Sequence, residues 1–171
     1  QDKFQYTILR YFNVAGADQK LRTGLISKEP THLIKILSEV AVGKKEKIFI
    51  FGNDYNTKDG TAVRDYIHVS DLANIHLEVA KYLLTIKESN IFNCGYGRGY
   101  SVKEVIDEGN KLTGNKIRFE YANRRIGDAE ELVSNIEKIS KHINYKPKFN
   151  NLSLILESSI SWEKKLYEQN L

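Results

Sequence analysis

The chain has 171 residues, 41% hydrophobic and 28% charged, with 26 Lys and Arg against 22 Asp and Glu for a net charge of +4. That composition excludes a disordered or low-complexity chain, because the apolar content is large enough to offset the entropy of ordering, and the length suits one ordinary domain. The single cysteine, Cys94, excludes an internal disulfide framework.

No apolar run approaches the roughly 18 residues of a membrane span, and the Gln1-Asp2-Lys3 start has no signal-peptide pattern. A cytoplasmic protein with no membrane partner is expected. Methionine is absent and the chain starts at Gln1, so a piece of a longer polypeptide is expected.

In chain order, Thr7 to Val14 is rich in β-branched and aromatic residues and reads as one buried strand. Leu33, Ile34, Leu37, Val40 and Ala41 follow helical spacing, with Gly43 as the stop. Ile48-Phe49-Ile50-Phe51 reads as a strand, and Gly52 to Gly60 as a polar loop. Ser70 is the predicted N-cap of a helix whose stripe is Leu72, Ile75, Val79, Leu83 and Ile86. Ile91 to Cys94 is a further strand. Ser101 and Glu104 have capping-box spacing ahead of a helix closed by Gly114, and Ser134 and Glu137 repeat that spacing. Ile117 to Tyr121 alternates as a half-exposed strand, and Leu152 to Leu166 carries the last helical stripe. Strands alternating with helices predict an α/β fold.

Most chemical signals dissolve on inspection. Gly95-Tyr96-Gly97-Arg98-Gly99 sits between a strand and a helix, but its spacing is G-x-G-x-G and not the G-x-G-x-x-G of a dinucleotide turn. Gly109 to Lys116 mimics a P-loop at the wrong end of a helix. The four histidines have no metal-site spacing, so no metal is expected. Cys94 on an apolar strand reads as a buried, inert thiol. Acidic residues interrupt the basic runs (Glu46 among Lys44, Lys45 and Lys47), so no nucleic-acid partner is expected.

Two arginine-bearing segments remain, around Arg64 and around Arg124-Arg125. Guanidinium forks match phosphate oxygens, so the pair could clamp a diphosphate. Surface ion pairs, Arg64 with Asp65 and Arg125 with Asp128, account for them equally well.

The stretches Leu9-Arg10-Tyr11-Phe12-Asn13-Val14-Ala15-Gly16-Ala17, Phe51-Gly52-Asn53-Asp54-Tyr55-Asn56-Thr57-Lys58-Asp59-Gly60-Thr61-Ala62-Val63-Arg64-Asp65-Tyr66-Ile67-His68-Val69-Ser70-Asp71-Leu72-Ala73, Asn93-Cys94-Gly95-Tyr96-Gly97-Arg98-Gly99-Tyr100-Ser101-Val102 and Arg124-Arg125-Ile126-Gly127-Asp128 resemble the UDP-glucose 4-epimerases of the extended short-chain dehydrogenase/reductase family. The resemblance covers the carboxyl-terminal half of that family. It implies the last part of a Rossmann-like parallel sheet plus a small mixed α/β substrate-binding lobe over residues 1–171, with the amino-terminal NAD-binding portion absent. The family's Tyr-x-x-x-Lys acid–base pair is also absent, since none of the ten tyrosines has Lys four residues on; no catalytic residue is expected here, and the chain alone is expected not to turn over.

The resemblance implies roles residue by residue. Asn13 would meet a phosphate oxygen, and Arg64 and Arg125 would grip the diphosphate. Asp128 would accept bonds from the ribose. Phe49 and Phe51 would hold uracil on their strand. His32 (where the family often carries Asn), Leu33, Tyr66 and Val102 would line the same cleft, while Tyr11 and Phe12 would lie beside the nicotinamide. Leu132 stands where a tyrosine in some members walls off N-acetyl groups, which implies room for UDP-N-acetylglucosamine and UDP-N-acetylgalactosamine beside UDP-glucose and UDP-galactose. NAD as cofactor and a homodimer are implied for the intact protein. Another sugar-nucleotide dehydratase or epimerase, or a non-catalytic UDP-sugar module, stays open on the residues alone.

Overall fold

The computed structural model describes residues 4–169; the Gln1–Lys3 start lies outside them. Three β-assemblies and five helices make up the fold. The predicted first strand is in fact two. β1 (Thr7–Tyr11) pairs in parallel with β5 (Asn90–Cys94), and β2 (Asn13–Ala15) pairs in parallel with β4 (Val63–His68). The chain changes partner at Phe12. β1 is half-exposed, not buried: Ile8 and Tyr11 both reach solvent.

β4 is the hub. Its first residues lie between antiparallel β6 (Gly99–Ser101) and parallel β8 (Glu131–Leu132), and its last three, Tyr66 to His68, pair with β2. β3 (Ile48–Phe51) and β7 (Phe119–Ala122) form a separate parallel pair. The helices are α1 (Leu33–Ala41), α2 (Val69–Ile86), α3 (Val102–Thr113), α4 (Glu137–His142) and α5 (Leu152–Glu168). α5 packs against α1 and α3 and crosses β2 and β4. One apolar core runs through Leu37, Ile50, Ile67, Phe92, Ile106 and Leu156, all essentially sealed from solvent.

The α3 caps follow the sequence reading. Ser101 Oγ accepts from Glu104 N–H, the Glu104 carboxylate accepts from Ser101 N–H, and Gly114 closes the helix in the left-handed region at φ +67°. Two predicted caps do not form. α2 starts at Val69 with His68 as N-cap, whose Nδ1 accepts from Ser70 N–H at 3.1 Å. Ser134 does not cap α4: the helix starts at Glu137 with Ile136 at the N-cap and Asn135 Oδ1 accepting from Glu137 N–H at 2.9 Å, while the Ser134 hydroxyl donates to buried Asp65.

Candidate functional site

β4 carries four polar residues, and the structure uses each differently. Asp65 is sealed from solvent and accepts from the N–H groups of Tyr96, Gly97 and Ser134 and from the Ser134 hydroxyl. It does not pair with Arg64, which corrects the surface-pair reading. The glycine turn is thereby explained: a Cβ on Gly95 would fall 2.3 Å from the Asp65 carboxylate, and Gly97 needs φ +66°. The turn holds a side chain of its own protein.

Arg64 is held on three acceptors. One terminal nitrogen donates to Val63 O at 2.7 Å, and the other to Ala129 O at 2.7 Å and to Asp128 at 2.5 Å. Asp128 therefore pairs with Arg64 and not with Arg125, a second correction. Arg124 donates from Nε to Asp54 at 2.6 Å and to the Asp54 carbonyl, with its guanidinium 4.0 Å from the Tyr55 ring centre. Its role is to fasten the 52–60 loop. Arg125 is different. It lies 3.8 Å over the Phe51 ring and has no hydrogen-bond or ion-pair partner among the described residues.

A cleft of about 310 Å³ opens where these elements meet. β2 contributes Asn13; the α1 entry contributes Thr31, His32 and Leu33; β3 contributes Phe49 and Phe51. Arg64 and Tyr66 line it from β4, Val102 from the start of α3, and Arg125 and Asp128 from the 123–129 segment. Every residue named above for the nucleotide reaches this one cleft. Leu132, Tyr11 and Phe12 lie outside its lining: Leu132 is Arg64's neighbour on β8, and Tyr11 stands exposed at the end of β1. Thr31, Ile36, Ile48 and Ala62 also line it and carried no signal in the sequence, being ordinary apolar or loop residues.

Around the cleft, polar groups are matched. Asp59 accepts from Thr61 N–H at 2.9 Å and from the hydroxyls of Thr61 and Ser101, tying the polar loop to the α3 start. Burial opposes its ionisation, yet the Ser101 and Thr61 bonds outweigh that and hold its carboxyl below the ordinary value. Inside the cleft the pattern inverts. The side chains of Asn13, His32, Tyr66 and Arg125 have no hydrogen-bond partner among the described residues, although Tyr66 is only 3% exposed. Burial pushes the Tyr66 hydroxyl well above its usual pKa, so it is a neutral donor.

Two other groups were tested as chemistry and are structural. His68 Nδ1 accepts from Ser70, which places the ring proton on Nε2, facing Ser158 Oγ at 3.1 Å; Ser158 in turn donates to Ile155 O. That tautomer cannot deprotonate the serine. Cys94 is sealed, and burial pushes its thiol up to about 11. Among the described residues no three His, Cys, Asp or Glu side chains gather as a metal site, and no helix is long and apolar enough to cross a membrane.

The family model for NAD dependent epimerase/dehydratase proteins matches residues 1–95, more than half of the sequence. The chain belongs to this NAD-dependent epimerase/dehydratase family. Within the family it is similar to the UDP-glucose 4-epimerase of Azospirillum brasilense, 45% identical over 159 residues covering 93% of this chain and 46% of that protein. The enzyme of the same name from Halalkalibacterium halodurans is 44% identical, covering 94% and 48%. The chain thus spans about half the length of the curated relatives it matches.

Among solved structures, a Stenotrophomonas maltophila UDP-glucose-4-epimerase with bound NAD and formylated UDP-arabinopyranose superposes with a TM-score of 0.94 at 32% identity, covering 99% of this chain and 50% of that one. The Campylobacter jejuni UDP-Glc/GlcNAc 4-epimerase is 48% identical with a TM-score of 0.79, covering 95% and 49%. The parallel α/β architecture is therefore the family's, over half its length.

Proposed function

We propose that this chain is the carboxyl-terminal, UDP-sugar-binding portion of a UDP-hexose 4-epimerase. The observation that carries the reading is the set of unpartnered donors in one cleft: Arg125, Asn13 and Tyr66 converge beside Arg64. Asn13 and Tyr66 are half-buried and buried, where an unpaired polar group is costly unless a ligand completes it, while the exposed Arg125 fork is free to take an anion. A pyrophosphate supplies acidic oxygens for the two guanidinium forks and the Asn13 amide. Phe49 and Phe51, on a strand beside those donors, give a flat base an apolar wall and strand backbone to pair with. Asp128, now on Arg64, is placed to share itself with ribose hydroxyls.

The reaction that follows for the intact protein interconverts UDP-glucose and UDP-galactose, and by the aliphatic Leu132 also the N-acetylhexosamine pair. NAD, when bound, supplies the hydride acceptor and donor at the sugar C4. This chain's part is to hold the nucleotide while the hexose turns. Its residues fit NAD only along one flank: Tyr11 ends β1 and Phe12 follows it at the carboxyl edge of parallel strands, where such crevices form, but the glycine turn is occupied in holding Asp65. The rest of the NAD site and the acid–base pair belong to the remaining half. The exposed Ile8 and Tyr11 on β1 and Leu77, Leu84 and Ile86 on α2 are the apolar surface that half would cover.

Isothermal calorimetry of this chain with UDP, uridine and UMP tests the reading. UDP is expected to bind and uridine not. Equal affinity for uridine and UDP would refute a site built on the diphosphate. Product analysis with the full-length protein then separates a 4-epimerase from a dehydratase.

A further inference from the structure

Behind the nucleotide cleft lies a second cavity of about 340 Å³, and the two share Asn13, His32, Leu33 and Tyr66 as a common wall. Its far side is apolar: Val14 and Ala15 on β2, Ile34 on α1, Val69 at the start of α2 and Trp162 on α5. The loop closing it is pinned by the Trp162 indole N–H, which donates to Leu25 O at 3.1 Å. A Cβ on Gly24 would fall 2.6 Å from that ring.

The charged groups at this cavity are already matched. Buried Lys35 pairs with Glu163 and lies 3.8 Å from Glu39, and Glu163 also meets Lys44 at 3.1 Å. Ser38 donates to Ile34 O, and Ser159 accepts from Gly16 N–H. An anionic ligand would find no free cation there, and a polyhydroxylated sugar would find few polar partners along the wall. The polar groups left open are those of the shared wall: the side chains of Asn13, His32 and Tyr66 have no hydrogen-bond partner among the described residues, and Tyr66 is only 3% exposed as a residue.

We infer that this inner chamber is a second binding site, for a compact neutral molecule with an apolar body and one hydroxyl, a simple alkylphenol in chemical class. The body packs on Val14, Ile34, Val69 and Trp162, and the hydroxyl meets Tyr66 and Asn13. Cavities of half this size lined by apolar side chains take up benzene, so the space suffices for a substituted ring. The nucleotide cleft draws on the same two polar groups, so occupancy opposes UDP binding; that coupling rests on the function proposed above, whereas the chamber does not.

Trp162 is the only tryptophan of the chain and reports the chamber directly. The probe is 4-propylphenol, read by tryptophan fluorescence, with 4-propylbenzoate as the charged control. A saturable change with the phenol and none with the benzoate is expected. Val69 is exposed and outside the nucleotide cleft, so Val69→Phe should fill the chamber, abolish the change and leave UDP affinity intact. Thr23→Phe, from the exposed loop opposite, should do the same if Val69→Phe does not fold. Tyr66→Phe should weaken the phenol roughly three- to tenfold, the loss of one hydrogen bond. Saturating phenol should weaken UDP at least about fivefold, the low end of coupling between sites. No saturable change in the parent chain, an undiminished change in a folded filled variant, or equal response to the benzoate would each overturn the proposal. Absence of UDP binding without phenol would refute the nucleotide reading, and the fluorescence would still decide the chamber.

Discussion

Arg125 and Arg64 look alike in the sequence, and the structure predicts that their removal will be felt differently. Arg125→Ala removes an exposed guanidinium that stacks on the Phe51 ring at 3.8 Å and has no hydrogen-bond or ion-pair partner among the described residues, a stack worth about 0.5–1 kcal/mol at an exposed site. For a chain of this length that is a fall of about 1–4 °C in melting temperature. If the same group holds a phosphate oxygen, its loss removes a charge-assisted hydrogen bond of about 1.5–3 kcal/mol, or roughly 10- to 150-fold in the UDP dissociation constant.

Arg64→Ala removes three protein bonds and leaves Ala129 O, Val63 O and Asp128 without their donor. It should weaken UDP as strongly and also melt the chain earlier. Arg125→Lys, keeping charge but losing the fork and the stacking plane, should fall between parent and alanine variant. Differential scanning calorimetry and UDP titration on the three variants give both axes. UDP affinity within about threefold of the parent for Arg125→Ala, well under the loss of one ionic hydrogen bond, would refute the assignment of the free guanidinium to the diphosphate.

Three further outcomes are expected. Burial lowers the folded-state pKa of His68 below its ordinary value, so the unfolded chain binds the extra proton. Stability is full above about pH 6.5 and declines as pH falls through and below it; urea denaturation across that range should show the slope, and His68→Gln should flatten it. Glu163→Ala leaves Lys35 buried against Glu39 alone at 3.8 Å, and breaking a buried pair from one side costs about 3–5 kcal/mol, read as a melting temperature lower by roughly 10 °C. In the intact protein, Leu132→Tyr should depress turnover of UDP-N-acetylhexosamines at least about tenfold, a difference of some 1.4 kcal/mol, and spare UDP-glucose; unchanged N-acetyl activity would remove Leu132 from any gating role.

The helices were legible because their apolar stripes and caps are local facts: Leu33 to Ala41 and the Ser101–Glu104 box appear as read. β4 was not. Val63-Arg64-Asp65-Tyr66-Ile67-His68 has no period-two alternation of polarity, since both faces are covered and three polar side chains are satisfied by partners 31 to 90 residues away. Such partners leave no mark in a window of ten residues. Ser134 meets Asp65, 69 residues away, and the α2 cap sits on His68, two residues before Ser70. The cleft residues came from the resemblance, and the geometry gathers the nucleotide set; what no pattern in the sequence displayed was that Asp128 pairs with Arg64 while Arg125 stands free.

β4 also bears on how the length of this chain can vary. Between Arg64 and His68, successive residues serve opposite faces of a strand that pairs with β6 and β8 at its start and with β2 at its end. One residue inserted or deleted there would exchange those faces, turning Tyr66 away from the cleft and His68 away from Ser158 together. The segment 26–31, by contrast, runs over the surface ahead of α1 and can lengthen at modest entropic cost. Length polymorphism among kindred chains should therefore concentrate in that segment and be missing from the strand.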